Sequence, residues 1–154
     1  MTDSLGFLIG DLARLMRRRF DERAREIGVT RPQWRALLNL SRQEGLKQTE
    51  LAERMEVEPI TLCRMVDRLE ASGLVERRPD PADRRARRLF LTEDARPIIA
   101  RLRAVADDLA DELARHLSPG EQTQLTALTR KLHESLSAAA EARRGEEKGD
   151  VVNG

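Results

Sequence analysis

From Arg77 to Arg88 the sequence reads RRPDPADRRARR, six arginines against two aspartates, a local excess of four positive charges. The whole chain of 154 residues has a formal net charge of only +1. Guanidinium groups are planar, permanently charged and shaped to fit phosphate oxygens, so such a run suits a polyanion. With the total so nearly neutral, any surface for nucleic acid must be a local patch, not a general basicity. A charged run alone is more often a solvated face. What stands beside it in the chain decides its meaning.

Just before it lies EPITLCRMVDRLEASG, Glu58 to Gly73. Leu62, Met65, Val66 and Leu69 recur at steps of three and four, the inner stripe of a helix that opens at Pro59 and stops at Gly73. Opposite that stripe fall Ile60, Arg64 and Asp67, with Thr61, Cys63 and Arg68 on the flanks. A guanidinium can read guanine, a hydroxyl is versatile, and apolar atoms meet a thymine methyl. Before this helix a short one, roughly Gln48 to Met55, turns Leu51 and Met55 inward. Short helix, turn and second helix have the lengths of a helix-turn-helix, whose second helix enters the DNA major groove by its N-terminal half. After it, LVERR and RRLFLT are short β-prone runs on either side of PDPAD, a hairpin with a charged tip. The expected contacts with double-stranded DNA are Pro59, Ile60, Thr61, Cys63, Arg64 and Arg68 on the helix, and Arg84, Arg85 and Arg87 on the hairpin. The arginine cluster is expected to meet phosphate, one arginine entering a narrow minor groove.

The remaining elements must hold this unit. Leu5, Leu8, Ile9, Leu12, Leu15, Met16, Phe20, Ala24 and Ile27 mark a long amphipathic helix ending at Gly28. A second helix follows Thr30, which with Gln33 has the capping-box pattern, and carries Trp34, Leu37 and Leu38 inward. Thr92 is expected to cap a helix lined by Ile98, Ile99, Leu102, Val105, Ala106, Leu109 and Leu113. SPGE at Ser118 to Glu121 opens a last helix with Leu125, Leu128, Leu132 and Leu136. Apolar periodicity ends near Glu141. The expected fold is mainly α with a small β-wing, comprising a winged helix-turn-helix lobe over 30–92, a helical dimerisation region over 1–28 and 93–140, and a disordered tail over 141–154. Leu8, Leu12, Leu109, Leu113, Leu128 and Leu132 present more apolar surface than one small lobe covers, so a homodimer is expected. Charged residues at 36% and aromatics at 3% agree with a helical protein. With no apolar run near the roughly 20 residues a bilayer requires, no membrane span is expected. The N-terminal charge order is the reverse of a secretory leader, and the single cysteine suits a reducing cytoplasm. Two distant histidines and one cysteine leave no expected metal or cofactor.

VTRPQWRALLNL, LKQTELAERMEVEPITLCRMVDRLEASGLVERR and above all DPADRRARRLFLT resemble the MarR family of winged-helix transcription regulators, nearest to its SlyA-like branch. The likeness runs from about Leu5 to Leu136, and the wing pattern D-x-R-x-x-x-[LV]-x-L-T is met by Asp83, Arg85, Leu89, Leu91 and Thr92. The resemblance implies a homodimer built by the first and last two helices and a palindromic operator; a repressor's role is expected, although the sequence does not distinguish it from an activator's. It also implies a wing arginine, Arg85, in the minor groove, with Asp83 orienting it. In SlyA-like relatives a small aromatic carboxylate sits between the lobes; Arg14, Arg17, Trp34 and Leu38 match that region and could serve such an acid. Cys63 beside Arg64 could act as a redox sensor, though a small groove-facing side chain explains it as well. No metalloprotease, phosphate-loop or nucleophile-elbow motif is present, so no catalytic activity is expected. The rival reading is a helical interaction adaptor on a winged-helix scaffold.

Overall fold

In a computed structural model the backbone is described for residues 4–152 and side chains for residues 4–143. Nine elements follow in order: α1 (Leu5–Ile27), α2 (Arg31–Arg42), β1 (Leu46–Lys47), α3 (Gln48–Met55), α4 (Pro59–Ala71), β2 (Val75–Pro79), β3 (Arg87–Leu91), α5 (Ala95–Ala114) and α6 (Pro119–Val152). The chain divides into two compact units, Met1–Leu109 and Ala110–Gly154. No described helix is long and apolar enough to cross a membrane.

In the first unit, the ends of α1 are set by local chemistry. Ser4 Oγ accepts the Phe7 N–H at 3.3 Å, and Gly28, at φ 94°, turns the chain out of the helix. Only Phe20, Asp21 and Ala24 of α1 are buried, whereas Leu5, Phe7, Leu8, Ile9, Leu12, Leu15 and Met16 stay exposed. Gln33 accepts the Thr30 N–H at 2.9 Å and so caps α2 by the backward half of the expected capping box. Leu37 and Leu40 of α2, Leu51 and Met55 of α3, and Leu62, Val66 and Leu69 of α4 form the centre of the core with Leu46, Val75, Leu89 and Leu102. Glu50 accepts the Lys47 N–H at 2.8 Å, which lets a lysine stand where a capping hydroxyl is usual. Between α3 and α4, Glu56 takes a left-handed conformation, φ 54°, that favours glycine.

The sheet has the order β1-β3-β2, antiparallel throughout. Strand β1 is two residues long, too short to show any alternation in sequence, and was not among the expected elements. Its register pairs Leu46 with Leu89 and Lys47 with Arg88, while β2 pairs Arg77 with Leu89 and Arg78 with Arg88. Thr92 does not cap α5 as expected. Its hydroxyl donates to the Gly73 carbonyl at 2.6 Å, tying the end of β3 to the end of α4, and α5 begins only at Ala95. The hydroxyl is oriented by that carbonyl in the sheet corner and not by the first turn of the helix.

In the second unit, Ser118 and Glu121 form the complete capping box: Ser118 N–H to Glu121 Oε2 at 2.8 Å and Glu121 N–H to Ser118 Oγ at 3.3 Å. Gln122 Nε2 donates to the carbonyls of Ala114 (2.8 Å) and Leu117 (3.0 Å), satisfying acceptors left over at the end of α5. Leu125, Leu128, Leu132 and Leu136 lie exposed along α6. The tail expected to lack structure from residue 141 continues instead as helix to Val152, and residues 153–154 lie outside the described residues. Seven of the twelve residues 141–152 are glutamate, arginine, lysine or alanine, which favour a helix by propensity, against two glycines, which do not.

Candidate nucleic-acid interface

The pleat of the sheet sorts the arginines. Side chains alternate faces along a strand, so in β2 Val75 and Arg77 point to one side and Glu76 and Arg78 to the other. Val75 pairs with Leu91 and Arg77 with Leu89, the buried side of the sheet. Arg77 is therefore drawn under α4 and not out to solvent, its side chain only 17% exposed. There it pairs with Asp67 at 2.6 Å and Glu70 at 3.4 Å and donates to the Cys63 carbonyl at 3.0 Å and Gln48 Oε1 at 3.1 Å. One guanidinium thus fastens β2 to both helices of the helix-turn-helix.

On the outer face, Arg78 meets Glu76 through two 3.2 Å contacts and lies 4.2 Å from the Phe90 ring centroid. The hydrogen bond from Arg78, followed by its charge, holds the Glu76 carboxyl below its usual range. Arg88 Nη1 donates to the Gly45 carbonyl at 2.8 Å, and Arg88 Nε lies 3.2 Å from the buried Asp80 carboxylate. The Asp80 carboxyl is likewise held low, first by the Ala82 N–H and then, against burial, by the charges of Arg88 and Lys47. Arg77, Arg78 and Arg88 thus have acidic partners within the lobe, and the hairpin arginines expected to contact DNA are the other three of the run. Strand parity could have found this: in VERRP and RRLFL the apolar residues at 75, 89 and 91 already put Arg77 on the inner side.

Arg84 and Arg85 remain at the exposed tip between β2 and β3, and Arg87, also exposed, opens β3. Asp83 Oδ1 accepts the backbone N–H of Arg85 at 3.0 Å, and the Asp83 carbonyl accepts the Ala86 N–H at 3.0 Å. It shapes the turn that carries Arg85, through the main chain and not the guanidinium. On α4, Leu62, Met65, Val66 and Leu69 are buried as expected. Pro59, Ile60, Thr61, Arg64 and Arg68 are exposed, Ile60 by 61%, and Cys63 is half-buried beside Arg77. The helix and the wing tip therefore present the expected side chains outward.

The residues named for an aromatic acid are not gathered around an open ring face. Trp34 packs on Phe20 with centroids 4.5 Å apart, and its Nε1–H donates to Asp21 Oδ1 at 2.9 Å. Arg14 pairs with Asp11 at 2.7 Å, and Arg17 is exposed. Asp21 also accepts from Arg31, Nε at 2.7 Å and Nη2 closer still. A carboxylate already occupies the polar edge of the tryptophan. A cleft that the sequence did not announce, of about 260 Å³, lies between Thr30, Pro32 and Gln33 of the α2 start and Thr61, Arg64, Met65 and Arg68 of α4.

This geometry has close counterparts. The MarR family model matches residues 29–86. A crystal structure of MarR is 30% identical, with a TM-score of 0.76 over 87% of this chain and 98% of that one. A cysteine-to-serine variant of MarR from E. coli, solved in complex with operator DNA, is 29% identical with a TM-score of 0.70, covering 83% of this chain and 92% of that one. The YusO protein of Bacillus subtilis is 29% identical with a TM-score of 0.66, covering 86% and 99%. On its fold, its helix-turn-helix and wing, and these likenesses, the chain belongs to the MarR family of transcriptional regulators.

Proposed function

We propose that the protein binds double-stranded DNA in a sequence-specific manner, as a homodimer on a palindromic operator, and represses transcription from it in the cytoplasm. The observation that carries the reading is the division of labour among the arginines. Arg64 and Arg68 on the exposed face of α4 and Arg84, Arg85 and Arg87 at the wing tip stay outside the network that engages Arg77, Arg78 and Arg88. In a helix-turn-helix that leaves the second helix for base edges and the wing for backbone and minor groove. The MarR variant bound to operator DNA supports the same partner here. The SlyA-like branch is part of the proposal and rests on the wing text around Asp83 and Arg85.

The exposed leucines of α6 and the exposed apolar face of α1 support dimerisation through the terminal helices, over 1–28 and 93–140. A small aromatic acid effector finds better chemistry in the cleft beside Arg64, Met65 and Arg68 than at Trp34, whose indole N–H Asp21 already accepts. The adaptor reading is weaker, because a partner protein has no need of a wing tip bearing three exposed arginines.

The deciding experiment is selection of an operator from random duplexes, followed by Arg64→Ala and Arg85→Ala. The Arg64 variant is expected to lose about 1–3 kcal/mol and to flatten preference at one base pair. The Arg85 variant is expected to lose affinity according to minor-groove width at the flanks. Wild-type binding by both variants would reject the assignment.

A further inference from the structure

Of the two buried charged residues described, Asp21 and Asp80, Asp80 is the more enclosed, its side chain 1% exposed. It closes the wing at its root: Oδ1 accepts the Ala82 N–H at 2.9 Å and its own N–H donates to the Ala86 carbonyl at 3.1 Å. Its second oxygen stands 3.2 Å from Arg88 Nε and 3.6 Å from Lys47 Nζ, in hydrogen-bond geometry with neither. Lys47, Arg88 and Arg78 are register partners across β1, β3 and β2, so three cations form one row on the outer face. Like charges directly opposite one another in a sheet repel, and a buried carboxylate is costly unless cations answer it. Glu76 answers Arg78, and Asp80 answers the other two.

We propose that Asp80 is a specificity-determining residue that holds Lys47 and Arg88 out of the phosphate-binding set, leaving the wing tip alone to meet the DNA backbone. This rests on the DNA-binding reading above. Phosphate contacts are blind to sequence, and each adds about 0.9 to the slope of log affinity against log salt. Two more free cations at the wing root would strengthen the grip on every duplex equally and narrow the margin of the operator over random DNA. Neutralising them from beneath keeps the strands paired without adding that grip.

The test uses the full chain with a random-sequence duplex and the selected operator, titrated with salt. Lys47→Gln is expected to leave the random-duplex slope at its wild-type value, whereas Arg85→Gln lowers it by about one unit. Asp80→Asn keeps an acceptor for Ala82 and removes the charge. It is expected to steepen the random-duplex slope by about two units, one for each freed cation, and to cut the operator-to-random affinity ratio several-fold, and adding Lys47→Gln should take back about one of the two. A residue that only stabilised the fold would instead weaken both duplexes together and leave the slope alone. If Lys47→Gln flattens the slope as much as Arg85→Gln, or a folded Asp80→Asn protein keeps the wild-type slope, the proposal is overturned. Lys47→Gln decides alone if Asp80→Asn does not fold. Wild-type protein without salt-dependent binding would overturn the DNA reading itself, and this inference with it.

Discussion

Replacing Asp21 by alanine removes the acceptor that joins α1 to α2, and the cost can be worked from the contacts. Three donors are affected: Arg31 Nε and Nη2, and Trp34 Nε1 at 2.9 Å. The Arg31 side chain is half exposed, so its two N–H groups recover water and contribute little to the loss. The Trp34 indole is half-buried against Phe20 and loses a charge-assisted hydrogen bond. Such a bond contributes about 1.5–3 kcal/mol, so Asp21→Ala is expected to cost about 2–3 kcal/mol. Asp21→Asn keeps one acceptor and gives up a solvent-screened ion pair, about 1 kcal/mol or less. Urea titration followed by Trp34 emission measures both, because Trp34 is the sole tryptophan. The urea midpoint should fall while the m-value stays unchanged. A double-mutant cycle with Trp34→Phe, followed by far-UV circular dichroism because that variant has no tryptophan, should give a coupling of about 1 kcal/mol. If Asp21→Ala lies within about 0.5 kcal/mol of wild type, or the cycle shows no coupling, the node does not hold the two helices together and the reasoning fails.

Arg77→Gln should destabilise the helix-turn-helix by about 2 kcal/mol in the same urea assay, since its hydrogen bonds to charged partners are lost. It should leave the salt slope of DNA binding unchanged, which a DNA-contacting arginine would not. Leu128→Asp on the exposed stripe of α6 should convert the dimer to monomer in sedimentation at micromolar concentration, and a wild-type monomer there would refute the dimer. Burial pushes the Asp21 carboxyl up, but the hydrogen bonds from Arg31 and Trp34 outweigh it, and the carboxyls of Asp80 and Glu121 are likewise lowered. A lowered folded-state value means stability that is fully present above the ordinary carboxylate values, about 4, and lost as pH falls below them. Urea midpoints should therefore drop on acidification through that window, less steeply in Asp21→Asn.

The helices of the lobe were legible because their apolar stripes repeat over several turns and their ends carry strong signals. Pro59 and the buried Leu62, Met65, Val66 and Leu69 of α4 fall where the spacing predicts. The exposed set of Ile60, Thr61, Arg64 and Arg68 follows from the same period. Charge was harder to read. A run of arginines says nothing by itself of which guanidinium points inward; only the parity of Val75, Leu89 and Leu91 does, and β1, which pairs Lys47 with Arg88, is two residues long and has no parity to read. The surroundings of Trp34 were hard to read for a related reason: its partner Asp21 stands 13 residues earlier on another helix, with no periodic relation to it. Thr92 shows the limit of local rules, since its hydroxyl has a tertiary acceptor, Gly73, that overrides the capping position.

The adjacency of Arg77 and Arg78 has a consequence for how β2 finds its alignment. A slip of one residue exchanges the two faces of a strand, and here it would replace one inward arginine with another. The acidic partners under α4, Asp67 and Glu70, would be offered a guanidinium in either alignment, so ion pairing at this position cannot tell the right alignment from the wrong one. Discrimination falls instead to the preceding pair, Val75 inside and Glu76 outside. A slipped strand would expose the valine and turn the glutamate, together with Arg78, to the buried side. Two unremarkable residues at the foot of the wing thus carry the positional information that its conspicuous arginines lack.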